Sequence, residues 1–168
     1  MKRESTAIIG SLFVLIFVIV LASATAHGEE RGVLEGMKSV RAVFDVRAGN
    51  SKSVAMQLGL ILQTSMDKTI RDVTQNPEFA VVFLGPSVKL ISTQTGDFSP
   101  EEKQMLAEIA NTVSEMSENG IRLEICLVAT SIFGVDPATV LPEIKQVGNG
   151  WISLIGYQAR GYSLIPVY

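Results

Sequence analysis

The 168-residue sequence has a single cysteine, Cys126, and a single histidine, His27. One thiol cannot form a disulfide within the chain, so Cys126 is a buried core residue, an intermolecular partner or a reactive group. Without a cluster of cysteines and histidines, the chain cannot build a conventional zinc site. It also lacks the internal histidine that a Ser-His or Cys-His nucleophile pair requires. We therefore predict neither a metal nor a cofactor.

Positive charge is also scarce. The chain carries 14 Lys and Arg against 17 Asp and Glu, a formal net charge of −3 at pH 7. Proteins that bind nucleic acid through its phosphates present a basic surface, and this composition offers no such excess. We therefore predict no nucleic-acid partner.

The start of the chain resembles an export signal. A basic beginning is followed by an uncharged apolar run over residues 7–22 and by the small residues Ala24 and Ala26. This order is typical of a secretory signal peptide. We predict that residues 1–26 are such a signal, cleaved after Ala26, and that the protein is exported to a periplasmic or other extracytoplasmic space.

The alternative for this segment is a retained membrane anchor. Residues 7–26 are uncharged and about long enough to cross a hydrocarbon core of roughly 30 Å. Only in that case would the protein contact a membrane. Under either interpretation, the length of residues 33–168 fits one domain with a single core.

The first half of this domain shows alternating strand and helix patterns. Residues 39–46 alternate in the manner of a strand, and a long helix is expected from Ser51 because apolar residues recur every three or four positions as far as Ile70. Residues 79–84 are almost entirely apolar, which is typical of a central strand buried on both faces. Residues 88–91 are expected to form a short extended piece.

A helix start is well marked at Ser99. Ser99 is a natural N-cap, Pro100 suits the first helical position, and Glu102 completes a capping box. Asn119 and Gly120 supply a left-handed end to this helix.

The last third repeats the alternation. The predicted elements are a strand over residues 121–128, a short turn after Asp136, a helix from Asn149-Gly150 to Gly161, and a strand over residues 162–167. Strands that alternate with helices indicate an α/β fold, here a three-layer sandwich with a mostly parallel central sheet.

Five sequence pieces stand in order along residues 38–168. They are VRAVFDVRAGNSKSVAMQLGLILQ, FAVVFLGPSVKLI, NGIRLEICLVAT, VLPEIKQVGNGW and QARGYSLIPVY. Taken together, they resemble the DsrE-like sulfur-relay family of DsrE, DsrF and TusD type.

The resemblance implies a role for Cys126. Members of the family use a cysteine at a strand end to carry a persulfide, and Cys126 matches that position. A homo-oligomer, commonly a trimer or hexamer, and a sulfur donor or acceptor protein as partner are also implied. At most, the chain would be a sulfur carrier or a sulfurtransferase-like protein.

The residues themselves leave three functions open. Cys126 either accepts sulfur or fills the core of a non-catalytic oligomeric binding or scaffold protein. A reactive thiolate would be favoured by a helix starting at Thr130 or Ser131. The third possibility is a small-ligand pocket at the strand ends, with Asp45, Arg47 and Asn50 at its rim.

Overall fold

A computed structural model of the protein describes residues 32–168. The predicted signal over residues 1–26 therefore lies outside the described residues. Residues 32–38 belong to a separate unit, in which the Met37 N–H donates to the Leu34 carbonyl over 3.1 Å. Ser39–Tyr168 forms the second unit, a single domain. None of the helices described in residues 32–168 is long and apolar enough to cross a membrane.

The domain is built on a parallel sheet of five strands in the order β4-β3-β2-β1-β5. Every pair of neighbouring strands is parallel. Strands β1 and β2 lie inside the sheet, are largely apolar and are buried on both faces after their first residue, as helix-covered parallel sheets require. The strands are β1 Arg41–Val46, β2 Glu78–Phe83, β3 Arg122–Cys126, β4 Lys145–Val147 and β5 Ser163–Val167.

Helices cover both faces of this sheet. The α-helices are α1 Ser51–Met66, α2 Lys68–Val73, α3 Pro100–Glu118, α4 Leu127–Phe133 and α5 Gly150–Ala159. Helices α1 and α3 pack against each other, whereas α5 contacts β1, β2, β3 and β5. The crossovers through α1 and α5 run in opposite directions along the sheet, and right-handed crossovers of opposite direction place their helices on opposite faces. The predicted three-layer α/β sandwich is confirmed.

The expected capping signals are present. The Ser99 hydroxyl accepts from the Glu102 N–H over 3.2 Å, and the Glu102 carboxylate accepts from the Ser99 N–H over 2.9 Å. Helix α3 ends at Glu118, with Asn119 as its C-cap, followed by Gly120 at φ +78°. The strand β1 and the strand β2 also lie within the predicted ranges, to within a residue.

Two local predictions in the first half are wrong. The long helix from Ser51 to Ile70 is interrupted, because the Asp67 carboxylate accepts from the Thr69 N–H over 2.7 Å and starts a second helix. Residues 88–91 are not extended but belong to the 3-10 helix Gly85–Ile91. Gly85 turns the chain at φ +56° and begins this 3-10 helix. The buried Ser87 hydroxyl donates to the Val46 carbonyl at the end of β1 over 2.9 Å and so fixes the helix in place.

Two further corrections concern the region of the cysteine. The strand predicted over residues 121–128 ends at Cys126, and Leu127 enters α4 directly. The helix that follows the cysteine therefore begins earlier than Thr130. Strand β4 was not predicted, because its three residues, Lys-Gln-Val, lie at the sheet edge and are mostly exposed.

Candidate functional site

Cys126 is the last residue of β3 and immediately precedes α4. Cys126 is only 3% exposed and belongs to the hydrophobic core. Side chains alternate along a strand, so Cys126 lies on the same sheet face as Glu124, and Ile125 lies on the other. The thiol is therefore at the carboxyl edge of the sheet, where parallel α/β folds commonly bind ligands.

The start of α5 packs directly against Cys126. A Cβ atom added at Gly150 would lie 3.0 Å from the Cys126 Cβ and 3.0 Å from Cδ2 of Leu84. A glycine thus allows the helix start to approach this closely. Asn149 caps the helix, accepting from the Trp151 N–H over 3.0 Å. The Asn-Gly pair was predicted as a helix start, but its contact with the cysteine was not.

Arg47 lies in the same row of the sheet as Cys126. Val46, Phe83 and Ile125 are in register across β1, β2 and β3. The next position on each strand is Arg47, Leu84 and Cys126, and the Leu84 N–H donates to the Val46 carbonyl over 2.9 Å. Leu84 therefore separates the arginine from the cysteine on one face of the sheet.

The Arg47 guanidinium is held by a buried carboxylate. Its Nε donates to both oxygens of Asp45, over 2.9 and 3.0 Å. Asp45 is 4% exposed. The pKa of Arg47 is raised, first by this hydrogen bond to Asp45 and, to a smaller extent, by the electrostatic influence of Cys126. No described residue bonds the two terminal nitrogens, Nη1 and Nη2, so they can contact an anion.

The third predicted rim residue has a different task. The Asn50 amide oxygen accepts from the Ser53 N–H over 2.9 Å and so caps α1. Of the three predicted rim residues, Asp45 and Arg47 are therefore hydrogen-bonded to each other, whereas Asn50 caps α1. Within residues 32–168, no group of three His, Cys, Asp or Glu side chains is placed to hold a metal ion.

Apolar side chains surround the strand-end site. Val128, in the first turn of α4, is 50% exposed, and its N–H donates to the Gly148 carbonyl over 3.3 Å. On the first turns of α5, Trp151, Ile152 and Ile155 are each at least 60% exposed. Exposed aromatic and aliphatic side chains of this kind are common in protein contacts.

A parallel five-stranded sheet with a strand-end cysteine beneath a helix start defines an α/β protein with a thiol site at the carboxyl edge. Comparison with known proteins identifies the family. The model of the DsrE/DsrF-like family matches residues 40–167. The chain belongs to this family, as the five sequence pieces predicted.

An uncharacterised protein of Aquifex aeolicus (strain VF5) is 22% identical over 128 residues, which are 76% of this chain. The chain spans only 56% of that relative's length.

Solved structures share the fold. A protein of unknown function from Methanobacterium thermoautotrophicum has a TM-score of 0.59 at 17% identity, over 76% of this chain and 99% of that one. The ychN protein of E. coli has a TM-score of 0.56 at 11% identity, over 76% and 98%. A conserved protein of unknown function from Bacteroides thetaiotaomicron has a TM-score of 0.54 at 20% identity, over 75% and 93%.

Proposed function

We propose that the protein is an extracytoplasmic sulfur carrier of the DsrE-like family, with Cys126 as the residue that accepts sulfur as a persulfide. The observation that carries the proposal is the strand-end position of Cys126, beneath the start of α5 and in the same sheet row as Arg47, with Leu84 between them. The family generally serves sulfur relay, which supports the same role. The alternatives differ in what Cys126 does, so the chemistry of this thiol is the quantity to test.

The transfer step needs only groups that the chain and a donor supply. The Cys126 thiol loses its proton to solvent, and the thiolate attacks the terminal sulfur of a donor persulfide. A new S–S bond forms on Cys126, the S–S bond of the donor breaks, and the donor sulfur leaves as a thiolate that takes up a proton. No net oxidation occurs. Because the chain has no second cysteine, no thiol of the same chain can resolve the persulfide into a disulfide.

Arg47 supplies the charge for this step. The persulfide on Cys126 ends in an anionic sulfur, and the cationic guanidinium of Arg47 lies in the same sheet row, beyond Leu84. Asp45 restrains the guanidinium through Nε and leaves the terminal nitrogens available. The positive end of the α5 dipole adds to the attraction. Arg47 therefore acts as a positioning and charge-compensating residue.

Burial sets a condition on donor access. Cys126 is 3% exposed, and Gly150 is packed on its Cβ. A donor can reach the sulfur only if the start of α5 moves. We therefore expect slow uptake by the isolated protein and faster uptake after changes that loosen the start of α5.

Intact-mass measurement tests the sulfur carrier. The protein without residues 1–26 is incubated with polysulfide, freed of reagent and weighed. We expect a gain of one sulfur atom, its loss on treatment with a reducing thiol, and no gain in Cys126→Ser. Arg47→Gln should take up sulfur more slowly, whereas the matched control Lys52→Gln, on the exposed side of α1, should behave as wild type. A wild-type protein that gains no sulfur overturns the proposal.

The second candidate is a non-catalytic oligomeric binding or scaffold protein in which Cys126 fills the core. The burial of Cys126 among Leu84, Gly150 and other apolar neighbours favours it. Under this alternative, Cys126 resists alkylation until the protein is denatured and never gains sulfur. Cys126→Ser would then lower the free energy of unfolding and leave the assembly unchanged.

We also propose a homo-oligomer, a trimer or hexamer. The exposed apolar side chains of α5 are joined by Leu164 and Ile165 on the edge strand β5, each 40% exposed. An edge strand with such side chains invites pairing with another chain. Light scattering should give a mass of several chains for the wild type and a smaller mass for Ile155→Glu. A monomeric wild type contradicts this part.

Export rests on the N-terminal sequence. Protein recovered from cells that make the full chain should lie outside the cytoplasm and begin at His27. A protein that keeps residues 1–26 and sediments with membranes would support the anchor instead. Recovery of the full chain in the cytoplasm would contradict export.

A further inference from the structure

A second polar site lies at the opposite edge of the sheet from Cys126. It is a cleft of about 630 Å³ at the amino ends of the strands, on the face that α5 covers. Strand register explains how it forms, because Arg41 is paired with Glu78 across β1 and β2, and Glu124 with Lys145 across β3 and β4. Paired residues of parallel strands project from the same face. This volume falls within the range of small-molecule sites in proteins.

In Glu78, one acid of the cleft, both carboxylate oxygens accept hydrogen bonds. Glu78 Oε1 accepts from Arg41 Nε over 2.8 Å, and Glu78 Oε2 accepts from the Tyr162 hydroxyl over 2.8 Å. Arg122 also reaches Oε2, over 3.4 Å, and donates to the Tyr162 hydroxyl. The pKa of Glu78 is lowered, first by the hydrogen bond from Tyr162. Glu78 is therefore ionised and needs no further donor.

In Glu124, the other acid of the cleft, only one carboxylate oxygen accepts a hydrogen bond from within residues 32–168. Glu124 is 9% exposed, and its Oε1 accepts from the Tyr157 hydroxyl over 3.0 Å. Its Oε2 is buried and has no hydrogen-bond partner among the described residues. Burial, first of all, raises the pKa of Tyr157, so its phenol stays protonated and remains a donor. A buried carboxylate oxygen without a donor is unfavourable, and a ligand that brings a donor removes the defect.

Two cations of the cleft lack an acidic partner. Lys145 and Arg160 line it and are exposed, and neither forms a salt bridge with any residue of the described chain. Arg41 and Arg122, in contrast, are both engaged with Glu78. The cleft thus combines a buried acceptor, Glu124 Oε2, with a basic rim.

We propose that this cleft binds a small amphoteric molecule of the amino-acid class. Its ammonium group donates to Glu124 Oε2, and its carboxylate contacts Lys145 and Arg160. A purely anionic ligand would satisfy the rim but place negative charge toward Glu124. A purely cationic ligand would have to pass the two unpaired cations. Only a molecule with both groups satisfies both parts of the site.

The site is separate from the proposed sulfur chemistry. Glu124 and Cys126 are two positions apart on β3 and share a face, but the cleft is lined from the amino ends of the strands and does not include the thiol. Amino-acid binding and sulfur uptake can therefore be tested independently, and Cys126→Ser should bind the same ligands as wild type.

Calorimetry on the protein without residues 1–26 tests the proposal with three sets of probes: free α-amino acids, their N-acetyl derivatives and their methyl esters. We expect at least one free amino acid to bind. Its N-acetyl derivative, which lacks the ammonium group, and its methyl ester, which lacks the carboxylate, should each bind about tenfold more weakly or worse, as loss of a charge-assisted hydrogen bond implies. This comparison needs no variant and so does not depend on mutant folding.

Variants then assign the contacts. Glu124→Gln should weaken binding of the free amino acid until it binds no more tightly than its N-acetyl derivative. The double variant Lys145→Gln with Arg160→Gln should weaken binding until the free amino acid binds no more tightly than its methyl ester. Lys52→Gln, which removes an exposed cation elsewhere, should bind as wild type. The proposal is overturned if no free amino acid binds, if all three probe sets bind equally, or if Glu124→Gln keeps the preference for the free amine.

Discussion

Gly150→Ala probes the contact that encloses the candidate thiol. The new Cβ would lie 3.0 Å from the Cys126 Cβ, and 3.0 and 3.2 Å from two side-chain atoms of Leu84. Leu84 can rotate, but the Cys126 Cβ is fixed by β3, so the start of α5 must shift. Overpacking of this kind costs about 1–3 kcal/mol, whereas replacing glycine by alanine in a helix stabilises by about 0.5–1 kcal/mol.

Gly156→Ala isolates the stabilisation that comes from replacing a helical glycine by alanine. Gly156 lies in the same helix, and a Cβ there meets nothing within 4 Å. We therefore expect Gly156→Ala to raise the free energy of unfolding by about 0.5–1 kcal/mol. Gly150→Ala has the same gain but also the overpacking cost, so it should lower the free energy of unfolding by up to about 2.5 kcal/mol. Both are measured by urea denaturation followed by circular dichroism. Alkylation of Cys126 should be faster in Gly150→Ala only. Equal stability of the two variants, or equal alkylation, would refute the close contact.

Three other contacts can be tested by substitution. Arg47→Ala should cost about 1–3 kcal/mol of unfolding free energy, because it leaves the buried Asp45 without its partner, and Asp45→Asn in that background should restore part of the loss, as denaturation would show. Ser99→Ala should cost about 1 kcal/mol, because it removes the N-cap of α3, and a smaller change in the denaturation midpoint would contradict the capping box. Glu78 has a lowered pKa in the folded protein. Its contribution to folding stability is therefore present above the unfolded pKa of about 4.3 and is lost as pH falls through the folded pKa. The difference in melting temperature between wild type and Glu78→Gln should disappear in that acidic range and not at higher pH.

The elements that local signals define were predictable. After Glu78, strand β2 is an unbroken apolar run, and α3 is marked at both ends by Ser99 and Gly120. The break at Asp67 was not predictable from spacing alone, because the apolar spacing continues past it and only the side-chain cap reveals a new start. Strand β4 has no apolar alternation, and its partner strand decides its conformation.

The candidate site was predictable only in part. Cys126 at a strand end followed from the resemblance, and its sharing of a face with Glu124 followed from alternation along the strand. Its proximity to Arg47 depends on the strand order, which places two segments far apart in the sequence in one row. Its contact with Gly150 depends on the path of α5. The amino-end cleft draws its residues from several elements, so no local pattern announces it.

The central claim is that Cys126 carries sulfur to an acceptor, and sulfur transfer measures it most directly. The protein is loaded with polysulfide, freed of reagent, mixed with a thiol acceptor, and both partners are weighed. We predict that one sulfur atom leaves Cys126 and appears on the acceptor, and that Cys126→Ser neither gains nor delivers sulfur. A wild-type thiol that stays unmodified, or sulfur delivery that persists in Cys126→Ser, would contradict the account.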